Sequence, residues 1–350
     1  MYDRQLITGG AGQSIVTGRA SVGIYLVLQH LKQPGKGVLV PANLCYAGIY
    51  PALYAGFYPV FCDVDALSGN VTEKSFSSAC TPEIAAAVIP HMYGNPVRAL
   101  PEIRRLCQNR GIVLIEDCAS AMGAEAHRYS LGETGDYTVY STGYSKTLDL
   151  GFGGILTSLA YPLESMEAAE QALPVLTEQS RRELALFSKL YRLLRNEGSG
   201  TTIESMIFAG LPDCCRNGFL HKLDPRKKDW LVRQLDQLPE IIRKRRVAQA
   251  RYAAALSVLP AAPYPYENGA VPWRFNLFLE PKERGRVIAE CLSRGLPVSD
   301  WYPQVTPMFQ YGGDFPGARW HETHILNFPL LLSEQEIDRI CETVLEVLHP

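Results

Sequence analysis

Along the chain, short apolar runs alternate with stretches whose apolar positions recur every three or four residues. The runs "GVLVP" (37–41), "YPVFCDVD" (58–65), "AAAVIPHMYG" (85–94), "IVLIEDCAS" (112–120), "DYTVYST" (136–142) and "GILTSL" (154–159) predict strands, the third passing into a loop. "ASVGIYLVLQHL" (20–31), "AGIYPALYAG" (47–56) and "ALPEIRRLCQNRG" (99–111) predict helices, the last with Gly111 where a C-cap belongs. Strands that are apolar on both faces and separated by helices belong to a mostly parallel sheet covered on both sides. The expected fold class is therefore α/β, and ligands on such sheets bind at the carboxyl ends of the strands.

The pattern changes in the second half. From 163 to about 195 it is helical, and "NEGSGTT" (196–202) breaks it. Residues 227–256 predict one long helix, with a bend at Pro239. Strand-like "WRFNLFLE" (273–280) followed by helical 282–295 and 333–348 predicts a smaller α+β domain. At 350 residues the chain exceeds what one core comfortably fills. The expected division is an N-terminal arm (1–14), a large domain (15–225) and a small C-terminal domain (226–350).

Composition adds mainly exclusions. Apolar residues are 47%, charged ones 20%, and the net charge is −2. Nothing in that balance calls for a nucleic-acid or membrane partner. The basic run "RKRR" (243–246) lies in a helical pattern and is expected to be a solvated face. Nine cysteines occur without a C-x-x-C pair, several in apolar contexts, as buried free thiols do. The chain opens without a basic-then-apolar leader and holds no run near the roughly 18 apolar residues of a membrane span. A soluble protein of the reducing cytoplasm is expected.

Several motifs are set aside. "GGAGQS" (9–14) resembles a phosphate loop but lacks the G-K-[ST] ending, and is expected to be a flexible arm. "HETH" (321–324) lacks a third zinc ligand, so no metal is expected. There is no G-x-S-x-G elbow, and Gly143 occupies the serine position of an S-x-x-K motif at Lys146.

What remains is a constellation. Asp117 ends a strand that is otherwise apolar on both faces, where a carboxylate is costly unless paired. Alone it reads equally as a strand-end cap or a structural ion pair. Glu116 points to the opposite face by alternation and is expected to be structural. Lys146 lies among small residues after the 136–142 strand, where partial desolvation would lower its pKa and free the amine to attack carbonyls. Alone it also reads as a surface-loop lysine. Together, a lysine for a Schiff base and an acid for a pyridinium nitrogen are what pyridoxal phosphate chemistry requires. "TGRAS" (17–21) precedes the first helix, so Gly18, Arg19 and Ala20 could offer backbone amides to a phosphate, unless Thr17 simply caps the helix. Ser141 is a candidate hydroxyl donor to the same phosphate.

At this point "TGRAS", "VIPHMYGNP", "LIEDCASAMGA" and "YSTGYSKTLDLGFGGIL", in this order and spacing, resemble the DegT/StrS-type aminotransferases, fold-type-I pyridoxal phosphate enzymes acting mostly on nucleotide-linked keto sugars. The resemblance continues through 218–252, "DWYPQVTPMF" and "ILNFPLLLSEQEIDRI", and is weakest over 160–217. It implies pyridoxal 5'-phosphate bound as an aldimine on Lys146, which then shuttles the substrate proton. It implies Asp117 on the ring nitrogen and Gly18, Arg19, Ala20 and Ser141 on the phosphate. Ser120 falls where the family commonly has glutamine near the ring hydroxyl. The resemblance also implies a homodimer with a shared site.

This chain departs from the family at named positions. Cys45 stands where an aromatic usually stacks on the cofactor ring, and Tyr46 follows it, so either could serve. Leu220 stands where an asparagine reaches the partner's phosphate, leaving Asn217, His221 or Lys222 as substitutes. Arg19 replaces a small polar residue. The expected function is amino transfer from an amino acid, glutamate first, to a nucleotide-linked keto sugar. The alternatives are a pyridoxal phosphate enzyme acting on a non-nucleotide ketone or amine, and a non-catalytic regulator of the same fold.

Overall fold

The computed structural model describes residues 13–126, 129, 131–197, 213–261 and 263–348. Residues 1–12 of the expected arm and 198–202 of the expected break lie outside the described residues. The strands are β1 (Gln13–Thr17), β2 (Gly37–Pro41), β3 (Tyr58–Cys62), β4 (Ile84–Pro90), β5 (Val113–Asp117), β6 (Tyr137–Ser141) and β7 (Gly154–Ser158), with β8 (Phe275–Phe278) and β9 (Ile325–Phe328) later in the chain. The first seven form one sheet in the order β1-β7-β6-β5-β4-β2-β3. The neighbours from β3 through β6 run parallel, and β7 runs antiparallel to both β6 and β1. This is the expected α/β architecture.

The antiparallel step has a local cause. Residues 142–153 connect β6 to β7 without a helix, so the chain turns back at the same end of the sheet, as short connections require. Lys146 sits in that reversal, at the carboxyl end of β6.

β1 was not anticipated: Gln13 and Ser14, expected in the arm, already pair with Ser158 and Thr157. The expected 58–65 strand stops at Cys62. The 163–195 helical stretch is two helices, Glu164–Ala172 and Glu178–Glu197, separated around Pro174, whose ring cannot continue the first. The long 227–256 helix is likewise two, Pro225–Gln234 and Leu238–Ala255, joined by a 3-10 turn at Leu235–Gln237. Pro239 lies in the first turn of the second helix, where a missing N–H goes unnoticed, so it starts a helix instead of bending one.

Buried side chains of β2, β4 and β5 are covered by the Ala20–Leu31, Tyr46–Tyr54 and Leu100–Arg110 helices. The β8–β9 pair builds a second core with Tyr252, Val287, Cys291, Ile340 and Val344. No helix among the described residues is long and apolar enough to cross a membrane.

The Ala20–Leu31 helix approaches the sheet closely because Gly23 faces it. A Cβ there would lie 2.9 Å from Val139 Cγ1 and 3.3 Å from Leu156 Cβ. Overpacking such a contact costs about 1–3 kcal/mol. Gly23→Leu is expected to lower the urea midpoint without changing the slope of the transition; an unchanged midpoint would refute this packing.

Candidate active site

Alternation along β5 sends its two acids to opposite faces. Glu116 is fully buried and accepts hydrogen bonds from the backbone N–H groups of Gly132 (2.6 Å), Thr134 (3.2 Å) and Gly135 (3.1 Å). His91 Nε2 lies 3.0 Å from it, while the Val97 N–H donates to His91 Nδ1. That assigns the Nε2 proton to the Glu116 bond. Cys118 Sγ is 3.8 Å from the same carboxylate. Glu116, His91 and Cys118 lie close enough to hold a metal, but the backbone donors already occupy the carboxylate. Glu116 is structural, as expected.

Asp117 ends β5 on the other face. Its Oδ1 accepts the Ala119 N–H at 2.8 Å. Burial pushes its pKa up, against that N–H and the positive field of Lys146.

Lys146 is aimed by its neighbours. Ser145 adopts a left-handed backbone (φ 60°), uncommon for a residue with a side chain. It is held there from three sides: its N–H donates to Asp149 Oδ2 at 2.6 Å, its carbonyl accepts Trp273 Nε1, and its Oγ accepts Arg274 Nη2 at 2.8 Å. Arg245 then clamps the loop to the small sheet, donating to the carbonyls of Lys146 and Trp273 at 2.9 Å each. The Lys146 amine donates to Ser120 Oγ at 3.1 Å and lies in the field of the Tyr302 hydroxyl. Tyr302 is itself positioned by Tyr93, whose hydroxyl accepts the Tyr302 N–H at 2.8 Å and donates to the Trp301 carbonyl at 2.6 Å. The expected lowering of the Lys146 pKa is corrected here. Burial does pull it down, but Tyr302, Cys45 and Asp117 together favour the ammonium, and the pKa lies above its ordinary value.

The residues expected to receive a phosphate converge on one edge. Arg19 is the N-cap of the Ala20–Leu31 helix, and no side chain caps it; Thr17 Oγ1 instead donates to the Arg19 carbonyl at 2.8 Å. Gly154 pairs with Ser141 across β6 and β7, and a Cβ on Gly154 would lie 2.3 Å from the Ala20 nitrogen. Ser141 and the open helix terminus are thus brought together by a glycine. The Ser141 hydroxyl accepts the Gly143 N–H at 3.2 Å. Gly18 is equally constrained, since a Cβ there would be 2.2 Å from the His221 carbonyl.

Cys45 and Tyr46 separate. The Cys45 thiol lies in the fields of Lys146, Asp117 and Arg19, with burial raising its pKa. The Tyr46 ring turns the other way, onto Tyr191 (4.7 Å) and Phe187 (5.0 Å) of the Glu178–Glu197 helix. The Arg19 guanidinium packs over Phe219 at 5.2 Å, its pKa lowered by burial. Leu220 is buried in the core of its own chain. Of its possible substitutes, Asn217 is exposed, Lys222 donates to the Gln171 carbonyl, and His221 is buried beside Gly18.

Two further expectations resolve differently. In "RKRR", Arg243 and Lys244 are solvated beside Glu240 and Arg246 is exposed, but Arg245 is buried. The signal was present: Leu238, Ile242, Arg245, Ala248 and Tyr252 form one stripe at helical spacing. Tyr93, Tyr302 and Arg274 carried no such signal, because only tertiary contacts bring them to Lys146. The "HETH" histidines diverge: His321 reaches the Ala66 carbonyl and the Tyr93 hydroxyl, whereas His324 stacks on Trp320.

With this geometry in place, the similarities of the chain fall on one group. The sequence profile of the DegT/DnrJ/EryC1/StrS aminotransferase family matches residues 7–345. The chain belongs to that family. It is an aminotransferase by family and α/β by fold. A dTDP-4-dehydro-2,3,6-trideoxy-D-glucose 4-aminotransferase of Saccharopolyspora spinosa is 27% identical over 314 residues, 87% of this chain and 76% of that one. A UDP-N-acetyl-3-dehydro-alpha-D-glucosamine 3-aminotransferase of Acidithiobacillus ferrooxidans is 28% identical over 327 residues, 90% and 79% of the two chains. Among solved structures, a putative sugar aminotransferase from Streptococcus pneumoniae in its PLP form superposes with a TM-score of 0.72 at 20% identity, covering 98% of this chain and 88% of that one.

Two buried histidines flank this framework, and burial lowers each from 6.5 to about 4. The folded chain keeps both rings neutral, while the unfolded chain protonates them below about pH 6.5. Each therefore removes stability as pH falls from 6.5 towards 4, by roughly 3 kcal/mol in all. Urea unfolding between pH 7 and 4.5 is expected to show a shallower pH dependence in His321→Asn than in wild type; parallel curves would count against the neutral ring.

Proposed function

We propose that this chain is a pyridoxal phosphate-dependent aminotransferase that moves an amino group from glutamate to a nucleotide-linked keto sugar. It would work as a cytoplasmic homodimer with a shared site, its larger and smaller parts meeting near residue 225. The observation that carries this reading is the Lys146 amine set beside Asp117 and Ser120, at the strand ends where an uncapped helix N-terminus also opens. The nucleotide-linked keto sugars named for the relatives support the choice of acceptor. The 85% exposed Tyr144, in the lysine loop, is a large ring that a second subunit would cover.

The residues present fit the cofactor. Gly154 leaves open the space at the Ala20 amide that any side chain would fill, and Asp117 is a buried acid with a raised pKa. When bound, the cofactor supplies a carbonyl carbon and an electron-withdrawing ring. Lys146 would hold that carbon and later carry the proton from the substrate α-carbon on Nζ. Asp117 would pair with the ring nitrogen and keep it protonated. The amides of Gly18, Arg19 and Ala20 and the Ser141 hydroxyl would receive the phosphate, the helix terminus favouring its charge. Ser120 would orient Nζ. Cys45 would lie against the ring in place of the usual aromatic, because Tyr46 is engaged by Phe187 and Tyr191.

Purified protein mixed with the cofactor is expected to show the visible band of a lysine-bound cofactor and to aminate a nucleotide-linked keto sugar at the expense of glutamate. Lys146→Ala is expected to lose both. A wild type without the band would refute the reading, whereas turnover confined to simple keto acids would favour the non-nucleotide alternative.

The Tyr302 field has a testable sign. It favours the ammonium form of Lys146, and only the neutral amine attacks a carbonyl. Tyr302→Phe is expected to lower the Lys146 pKa, so that the rate of cofactor uptake rises at lower pH than in wild type. Superimposable pH profiles would exclude this role.

A further inference from the structure

The "HETH" stretch leaves a histidine without a part in the site. His321 is fully buried on the helix Pro316–His324, whose first turn is pinned where Asp63 accepts the N–H groups of Gly317 and Ala318 at 2.9 Å each. Its Nδ1 lies 2.7 Å from the Ala66 carbonyl, which can only accept, so Nδ1 carries the hydrogen of the neutral ring. Nε2 is then a bare lone pair, 3.0 Å from the Tyr93 hydroxyl. That hydroxyl also lies 2.6 Å from the Trp301 carbonyl and receives the Tyr302 N–H at 2.8 Å. Two buried acceptors therefore face a group with one hydrogen. Neither side can withdraw, because Tyr93 is itself fixed. Its backbone stands at φ 57°, where few side chains are found, and its carbonyl accepts the Trp273 N–H at 2.8 Å.

A buried acceptor left without a hydrogen is costly, so the two compete. On the Trp301 carbonyl, the hydrogen fixes the backbone that presents Tyr302 to Lys146. On His321 Nε2, it lets that carbonyl go. The surrounding charges do not settle the contest. Asp65 acts on His321, and Asp300, which acts on Tyr93, lies 3.4 Å from Arg284. The Tyr264 ring packs on both Tyr93 and His321, but its hydroxyl donates to the Ser68 carbonyl at 2.5 Å. Around the amine stand Tyr302, Cys45, Asp117 and Ser120, and of these four Tyr302 is the one whose backbone Tyr93 holds. We infer that His321 is a positioning residue for Tyr302: it competes with the Trp301 carbonyl for the single Tyr93 hydrogen and so moderates the hold of Tyr302 on the Lys146 amine. This rests on the reading of Lys146 as the amine that takes up the cofactor.

The test follows cofactor uptake through the visible band as a function of pH, in wild type, His321→Asn, Tyr93→Phe and the double variant. Asparagine keeps an N–H for the Ala66 carbonyl but removes the lone pair opposite Tyr93. The hydroxyl then commits to Trp301. His321→Asn is therefore expected to slow uptake on the acid limb on the order of 2- to 10-fold, its midpoint moving to higher pH. Tyr93→Phe removes the contested hydrogen and is expected to move the midpoint to lower pH. The double variant should match Tyr93→Phe, since without the hydroxyl there is nothing to compete for. A histidine that merely supports Tyr93 would give the opposite sign in His321→Asn, or effects that add in the double variant. Either result, or an unmoved midpoint, overturns the inference. In parallel, NMR of the cofactor-free chain labelled with nitrogen-15 histidine is expected to show the His321 Nε2 resonance displaced by an accepted hydrogen bond, and Tyr93→Phe to return it to that of a bare lone pair. An Nε2 resonance indifferent to Tyr93→Phe overturns the competition even if His321→Asn does not fold. A wild type that takes no cofactor would instead remove the aminotransferase reading, and the NMR result alone would then decide whether His321 competes.

Discussion

Everything at this site depends on keeping a half-buried amine and a buried carboxylate together at the carboxyl edge of a parallel sheet. Burial opposes both charges, and neither Lys146 nor Asp117 would be tolerated there alone. The fold meets this constraint with many weak fields instead of one tight ion pair. Ser120, Tyr302 and Cys45 attend the amine, while the Ala119 N–H attends the carboxylate. The result is a lysine whose pKa rises and an acid whose pKa also rises, a pair biased towards holding protons until a further group enters.

Holding the amine in place requires strain to be absorbed elsewhere. The left-handed backbone at Ser145 is fixed by Asp149, Trp273 and Arg274, and the next peptide by Arg245. Both arginines and the tryptophan come from the later part of the chain. The lysine loop is thus a product of docking between the seven-stranded sheet and the smaller one. Tyr93, from the loop after β4, extends the same junction by fixing the backbone that presents Tyr302. A side chain supported in this way keeps its geometry only while the two sheets stay docked.

Close approach is the second requirement, and glycine supplies it at two points. Gly18 lets the His221 backbone pass, and Gly154 lets β7 meet the amides at the helix start. Each added side chain would collide with backbone, which cannot move aside as a flexible side chain can.

Periodicity alone determined much of this protein. Apolar runs marked the strands from 37 to 159, helical spacing marked the elements around them, and strand alternation separated Glu116 from Asp117. The order of short motifs made Lys146, Asp117 and the 17–21 turn legible as one constellation, because each lies at a strand or helix end that local pattern can locate. Tertiary structure decided the rest. It split the long helices at Pro174 and before Pro239, drew Gln13 and Ser14 into the sheet, and turned Arg245 inward from a run that read as solvated. It raised the Lys146 pKa where residue type alone suggested a fall, and it set Cys45 rather than Tyr46 towards the amine. These outcomes share one physical reason. They depend on fields and contacts between residues tens to hundreds of positions apart, and a linear pattern carries no record of which of those will meet.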